Sequence, residues 1–270
     1  MKKNIFVTAF VALIALLYLT VGNQKVFAEA DKGGPGHISF TGDSDGGDKG
    51  GPKDPENPGT SVDPGPSPST TGDLRIDFVP QLNFSANRIS DKAMSLPVNA
   101  QLFHDDTTAR GNFVQITDER SEALGWTLQL RQEMQFQNMD TANNELKGAF
   151  LSFDKSWANS VSNLDKAPVV SKEIIEVNNI GETHTLAKAK SGNGLGTWSI
   201  SFGASENNPL QLENTLTPRV DEKGEPVLNA DFGNQQVYQN NAITLNIPTA
   251  TKIDAVEYTT VITWILSELP

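Results

Sequence analysis

Apolar side chains alternate with polar ones along several segments between Asp73 and the C-terminus. Successive side chains of an extended chain point to opposite sides, so this period of two is typical of strands with one buried and one wet face. Turn-forming clusters of Gly, Asn and Asp separate the segments, and no segment shows a long amphipathic helical pattern. We therefore predict an all-β fold, an antiparallel β-sandwich that forms a single domain over residues 73–270. The alternating sets are Leu74/Ile76/Phe78, Val98/Ala100/Leu102, Trp126/Leu128/Leu130, Trp198/Ile200/Phe202, Ile243/Leu245/Ile247 and every second residue from Val256 to Leu266.

The first 28 residues are typical of a secretory signal peptide. Lys2 and Lys3 precede an apolar run, residues 5–19, that is short for a membrane span, and Ala28 offers a small residue for cleavage. We expect the chain to be secreted and cut after Ala28, which leaves no membrane span in the mature protein. An uncleaved membrane anchor is the alternative.

Residues 41–72 are crowded with Gly, Pro and Asp and contain few apolar side chains. Burial cannot offset the entropy of ordering such a segment, so we predict a disordered loop with polyproline character near the N-terminus of the domain. Residues 29–40 precede it and include the short alternation His37-Ile38-Ser39-Phe40. We interpret 29–40 as an N-terminal strand segment of the domain, with an unstructured tail as the alternative.

Composition limits both the anchoring and the partners of the chain. It contains no cysteine, so the domain has no disulfide and no thiol for a lipid anchor. Removing residues 1–28 takes away three lysines and no acid, which leaves 18 basic and 33 acidic side chains and a net charge of −15. Nucleic-acid binding requires a basic face, so we expect no nucleic-acid partner.

Motifs for catalysis or metal binding are weak. The three histidines are His37, His104 and His184, and none has the spacing of a zinc motif such as HExxH. The nearest candidate is His104-Asp105-Asp106, which we interpret as an exposed loop. No nucleophile elbow, P-loop or dinucleotide fingerprint is present. We expect no enzymatic activity, no cofactor and no metal, while a carboxylate pair distant in sequence remains the alternative.

The same tripeptide pattern, Trp-x-Leu, occurs in two strand-like segments: Trp126-Thr127-Leu128 and Trp264-Ile265-Leu266. Residues two apart share a face of a strand, so each segment projects one indole beside one leucine. The chain has only four tryptophans, which makes two chance copies improbable.

These segments resemble the motifs of the small WxL-domain proteins, which are surface proteins of Gram-positive bacteria. Residues 124–128 are similar to the proximal motif of that family and residues 258–266 to its distal motif, while 146–149 and 194–198 are similar to segments between them. The resemblance implies a secreted protein that attaches non-covalently to the peptidoglycan of the cell wall. It implies WxL-interacting wall-anchored proteins and larger WxL proteins as further partners. The alternative is a structural or adhesive subunit that binds mainly other surface proteins rather than glycan.

The resemblance makes the two tripeptides the candidate cell-wall-binding motif: Trp126, Thr127, Leu128, Trp264, Ile265 and Leu266. Two interpretations of the tryptophans are open. Their flat faces could stack on sugar rings, or they could be buried in the sandwich, which the strict alternation with aliphatic residues favours. Trp157 lies in a polar segment, and we predict it to be more exposed and a secondary candidate for ligand contact.

Overall fold

The computed structural model describes residues 50–269, which all belong to one compact unit. The predicted signal peptide (1–28) and N-terminal strand segment (29–40) lie outside the described residues. Strands dominate the described chain, together with one short 3-10 helix at Leu164–Lys166. In chain order the strands are β1 (Leu74–Phe78), β2 (Met94–Asn99), β3 (Asn112–Asp118), β4 (Trp126–Gln132), β5 (Phe150–Phe153), β6 (Ser156–Asn159), β7 (Val169–Val170), β8 (Ile175–Val177), β9 (Thr183–Ala189), β10 (Gly196–Phe202), β11 (Leu216–Pro218), β12 (Leu228–Asn229), β13 (Gln235–Gln236), β14 (Tyr238–Ile247) and β15 (Ile262–Glu268).

The strands pair in three larger antiparallel sheets and one small ribbon. The first sheet has the order β1-β3-β10-β6. The second has the order β11-β14-β5-β8, and β2 also pairs with β14. The third, which we call the motif sheet, has the order β15-β4-β9-β7, while β12 and β13 form the ribbon. Most neighbours in these sheets are distant in sequence, so hairpins alone do not build the fold.

One hydrophobic core is shared by the inner faces of the three larger sheets. Phe153 of the second sheet contacts Phe202 of the first sheet and Trp264 of the motif sheet, with ring centroids 5.2 and 6.4 Å apart. Both contacts are edge-on, the arrangement that the charge distribution of aromatic rings favours. The all-β sandwich predicted from the alternating pattern is confirmed, since the inward residues of each strand meet in this core.

Residues 50–72 of the Pro- and Gly-rich segment are ordered, in contrast to the predicted disorder. Its backbone is held on the outer face of the first sheet, where Lys53 N–H donates to the side chain of Gln115 at 2.7 Å. The Asn159 side chain donates to the carbonyl of Pro55 at 2.9 Å. Val62 packs in a small cluster with Phe113 and two further phenylalanines. β3 is consequently buried at all seven positions, covered on one side by the core and on the other by this segment.

Charged side chains hold this covering segment in place. Arg110 donates from Nε and Nη2 to the two carboxylate oxygens of Asp54, each at 2.9 Å, and its Nε lies 3.4 Å from Glu56. Glu56 also accepts from the backbone and the hydroxyl of Ser205, at 2.7 and 2.6 Å. The Asp54 side chain is 4 % exposed. The segment is thus ordered by a buried ion pair and by hydrogen bonds. Its scarcity of apolar residues, from which we predict disorder, gives no indication of these contacts.

The strand that carries the second tripeptide is shorter than its alternating pattern predicts. The alternation begins at Val256, but β15 begins at Ile262. Val256 is 43 % exposed, and Thr259 makes only an isolated bridge to Gln137. Residues 256–261 therefore lead into the sheet without being part of a strand.

Candidate functional site

The two Trp-x-Leu segments are neighbouring strands of the motif sheet. In the antiparallel pairing of β4 with β15, Leu128 lies opposite Leu266 and Leu130 lies opposite Trp264. Trp126 lies opposite Glu268 at the end of the ladder. The tertiary structure thus brings together the two halves of the motif, which are far apart in the chain, into one continuous apolar row on the inner face.

Trp126 is completely buried, and its indole is fixed by the turn that joins β9 to β10. Its Nε1 donates to the carbonyl of Gly194 at 3.1 Å. Gly194 has φ of +84°, and a Cβ atom there would lie 2.5 Å from the Ala189 Cβ and 2.6 Å from the Trp126 Nε1. The turn passes so close to the indole that only glycine fits at position 194.

Trp264 is also in the core, with 3 % of its surface exposed. Its ring meets Phe153 edge-on, but its Nε1 has no hydrogen-bond partner within residues 50–269. Both motif tryptophans therefore occupy the buried positions that one of the two interpretations predicts. Stacking of sugar rings on either indole would require the core to open.

Trp157 is buried as well, which corrects the prediction of a more exposed side chain. It is 6 % exposed, and its Nε1 donates to the Gly203 carbonyl at 2.8 Å. Of the polar residues around it, Ser156 lies on the opposite face of β6, whereas Asn159 lies on the same face and donates to Pro55 of the covering segment. The prediction was wrong because Trp157 lies in line with Ser201 and Phe113 on the outer face of the first sheet, which the covering segment shields from water.

The middle residues of the tripeptides, Thr127 and Ile265, project from the opposite side of the motif sheet. Strand alternation places Gln129, Arg131 and Thr263 beside them. We call this surface the motif outer face; its members are Thr127, Gln129 and Arg131 of β4, Thr263, Ile265 and Ser267 of β15, and Thr183, Thr185 and Lys188 of β9. Sequence reasoning chose only Thr127 and Ile265 among them. Alternation sends the other members on β4 and β15 outward as well, whereas on β9 an irregularity in the register brings Thr185 and Lys188 to the same face.

Hydrogen bonds hold several side chains at the motif outer face. Arg131 Nε donates to Glu133 Oε1 at 2.9 Å, and the Thr263 hydroxyl donates to the same oxygen. Partial burial acts to raise the pKa of Glu133, but these bonds from Arg131 and Thr263 outweigh it and lower that pKa below its usual value. Gln129 Nε2 donates to Thr185 Oγ1 at 3.3 Å across the neighbouring strand.

The chain that leads into β15 is fixed by an aspartate. Asp254 accepts from the backbone and the side chain of Asn143, at 2.9 and 2.7 Å, and from the Thr141 hydroxyl. The Tyr258 hydroxyl donates to the Asn143 carbonyl at 2.7 Å and accepts from the Asp254 backbone at 3.0 Å. The bonds from Thr141 and Asn143 lower the pKa of Asp254. These contacts order the loop before the second tripeptide.

Two of the three histidines lie within residues 50–269, and they belong to different parts of the fold. His104 stacks on Phe232 with ring centroids 4.4 Å apart, whereas His184 lies on β9. Asp105 accepts from the backbone N–H groups of Asp63 and Thr107, both at 2.8 Å, so its carboxylate has a structural role. Within residues 50–269 no group of three or more His, Cys, Asp or Glu side chains is placed to hold a metal ion.

Comparison with known proteins gives one match. The family model described as "WxL domain surface cell wall-binding" matches residues 28–270. No curated protein and no solved structure matches the chain at a significant level. Over the described range, the structure contains no helix with the length and apolar character that crossing a membrane requires.

Proposed function

Since the chain belongs to the WxL family of surface cell-wall-binding domains and so has its place at the cell surface, we propose that it attaches non-covalently to peptidoglycan. We further propose that it is a secreted, non-enzymatic protein of a Gram-positive surface assembly. The observation that carries this proposal is the direct pairing of the two tripeptide strands in one sheet. The family motif builds a rigid platform, and a rigid platform binds an extended polymer at a low entropic cost.

Net charge determines how such attachment responds to salt. The chain without residues 1–28 carries a charge of −15, so anionic polymers of a cell wall repel it at long range. Attachment therefore depends on short-range contacts. Added salt shortens the range of the repulsion and leaves hydrogen bonds and apolar contacts nearly unchanged. Binding is expected to be constant or stronger as the salt concentration rises.

The charged groups that are buried in the described structure serve the fold, which supports a non-enzymatic role. Asp54, Glu56 and Arg110 fix the covering segment on the first sheet. Asp118 is bound by Arg120 through two bonds of 2.8 Å beside the start of β4. Groups committed to such pairs are not free to exchange protons with a substrate. Purified protein incubated with peptidoglycan is expected to release no soluble sugar or peptide fragments.

A protein partner is the second candidate function, and one observation favours it. β15 is an edge strand of the motif sheet, and edge strands can add a strand from another chain. In that arrangement the second tripeptide would contact a wall-anchored WxL-interacting protein or a larger WxL protein. The wall would then be reached through the partner.

Sedimentation with cell-wall material separates the two functions. Purified protein is mixed with insoluble peptidoglycan stripped of proteins, from about 0.05 to 0.5 M salt, a range in which the screening length falls severalfold. Co-sedimentation that is undiminished by salt is expected. Binding only to walls that retain their proteins would favour the protein-partner function and contradict direct attachment.

A further inference from the structure

We propose that the motif outer face is the wall-contact surface and that its ligand is the uncharged glycan strand of peptidoglycan. This inference rests on the proposed function and goes beyond it, because it assigns the site and the part of the polymer that is bound. The inference assigns ligand recognition to the residues that alternate with the tripeptide tryptophans and not to the buried tryptophans themselves.

The pairing register arranges these residues as a grid. Gln129 lies between Ile265 on one side and Thr185 on the other, while Arg131 lies between Thr263 and Thr183. Neighbouring strands are about 4.8 Å apart, and residues on one face of a strand repeat about every 6.8 Å. Hydroxyl, amide and guanidinium groups in this array can form hydrogen bonds with the hydroxyl and acetamido groups of an extended sugar chain. Ile265 supplies an apolar surface for the C–H face of a sugar ring.

The grid is accessible, in contrast to the outer face of the first sheet. There the outward residues of β3, such as Phe113 and Gln115, are buried under the 50–72 segment. On the motif sheet, Thr183, Thr185 and Lys188 of β9 are exposed. The outward residues of β4 and the middle of β15 are partly exposed, in alternation with buried ones. The surface that carries both tripeptides is therefore available to a polymer.

Its side chains are also held in place before a ligand arrives. Arg131 is fixed by Glu133, and Gln129 by Thr185. Threonine has little rotamer freedom because it is branched at Cβ. Ordering these groups around a ligand consequently costs little entropy, so weak hydrogen bonds to sugars can yield a measurable affinity.

Charge favours an uncharged occupant over an anionic polymer. The motif outer face has two cations, Arg131 and Lys188, and the charge of Arg131 is balanced by Glu133 at 2.8 Å. A polyphosphate ligand requires several free cations on one surface. The chain without residues 1–28, at −15, repels such a ligand as well. A nearly neutral face on an acidic protein is complementary to neutral sugars.

Two sheets of this protein offer a matched test. Gln129→Ala/Thr185→Ala removes an amide-to-threonine hydrogen bond from the motif outer face. Thr244→Ala/Asn246→Ala removes the same type of bond, 3.0 Å long, from the second sheet, together with the bonds of both residues to Ser152. With peptidoglycan freed of proteins and anionic polymers, the first variant is expected to bind about tenfold more weakly than the natural protein. The second is expected to bind within about twofold, and both are compared at matched thermal stability.

A steric variant keeps the test decisive if the first double variant unfolds. Thr185→Arg adds bulk at an exposed position of β9 and removes nothing from the core, so it is expected to weaken binding while the melting temperature is kept. Equal binding by the natural protein and the motif-face variants would overturn the inference and leave the proposed attachment intact. If the protein binds only to walls that retain anionic polymers, the assignment of an uncharged ligand would be overturned. A natural protein that binds neither material would overturn the proposed function itself.

Discussion

Leu128 and Leu266, the leucines of the two tripeptides, face each other across the antiparallel strands β4 and β15. Leu128 is fully buried, and Leu266 packs at the border of the same core. A cross-strand apolar pair stabilises a sheet only when both members are present on the same face. The repeated tripeptide thus encodes two halves of one contact, which explains why Trp and Leu occupy the outer two positions in both copies.

Gly194 is expected to be the most sensitive glycine of the turn beside Trp126. Gly194→Ala forces a Cβ against Ala189 and the Trp126 indole and also strains a positive φ. The free energy of unfolding should fall by about 3 kcal/mol or more, the sum of backbone strain and overpacking. Chemical denaturation of the purified variant measures this loss.

Gly192→Ala is the matched control for that substitution. Gly192 also has a positive φ, +86°, but a Cβ there meets no atom within 4 Å. It should cost only the backbone strain, about 1–2 kcal/mol. Equal losses of unfolding free energy in the two variants would show that contact of the added Cβ with Trp126 and Ala189 contributes nothing to the destabilisation.

The two motif tryptophans should differ in how they tolerate phenylalanine. Trp126→Phe removes the indole N–H that satisfies the Gly194 carbonyl and leaves that carbonyl buried without its donor. Trp264→Phe removes a donor that has no partner within the described chain. Both variants lose ring volume, so the hydrogen bond should make Trp126→Phe the more destabilising by about 1–2 kcal/mol. Urea unfolding followed by circular dichroism measures both, and the reverse order would contradict the assigned bond.

Arg110 is expected to be essential for the order of the covering segment. Arg110→Met leaves Asp54 and Glu56 buried without their cation, which should cost about 3–5 kcal/mol and release residues 50–65 to proteases. Arg88→Met is the control, because the Arg88–Glu222 pair is 80 % and 82 % exposed and should contribute less than about 1 kcal/mol. Resistance of the Arg110 variant to limited proteolysis would argue against the clamp.

The same ion pair should make stability depend on pH in the acid range. Burial acts to raise the pKa of Asp54, but hydrogen bonds from Arg110, Asn57 and the Glu56 backbone outweigh it and lower that pKa below its ordinary 3.8. A pKa that is lower in the folded than in the unfolded state stabilises the protein above the unfolded value. That stabilisation is lost as the pH falls toward the folded pKa.

Asp54→Asn tests this dependence. The difference in unfolding free energy between the natural protein and the variant should be constant at neutral pH and should shrink as the pH falls below 3.8. Glu222→Gln, at the exposed pair, should show a difference near zero throughout. A gap between the natural protein and Asp54→Asn that widens in acid would refute the assigned direction.

The strands of the candidate site could be predicted from the sequence, because the alternation that indicates a strand lies within one short segment. Alternation along residues 126–130 and 262–266 indicates strands and shows which residues share a face. It cannot show that these two strands are neighbours, since pairing between segments so far apart depends on the arrangement of every strand between them. β3 is not among the predicted strands for a related reason: both of its faces are buried, so Phe113 on the second face interrupts the alternation of Val114 and Ile116 with polar residues.

The sequence by itself determined the all-β class, the face that each motif tryptophan shares with its leucine and the lack of disulfides, because each follows from residue type and spacing along the chain. Only the tertiary structure decided that the two tripeptides meet, that Trp157 is buried and that residues 50–72 are ordered. Those outcomes depend on contacts such as Arg110 with Asp54, between residues far apart in the chain. No local sequence pattern indicates such a long-range contact, because the contact stabilises the protein only when the whole chain has folded.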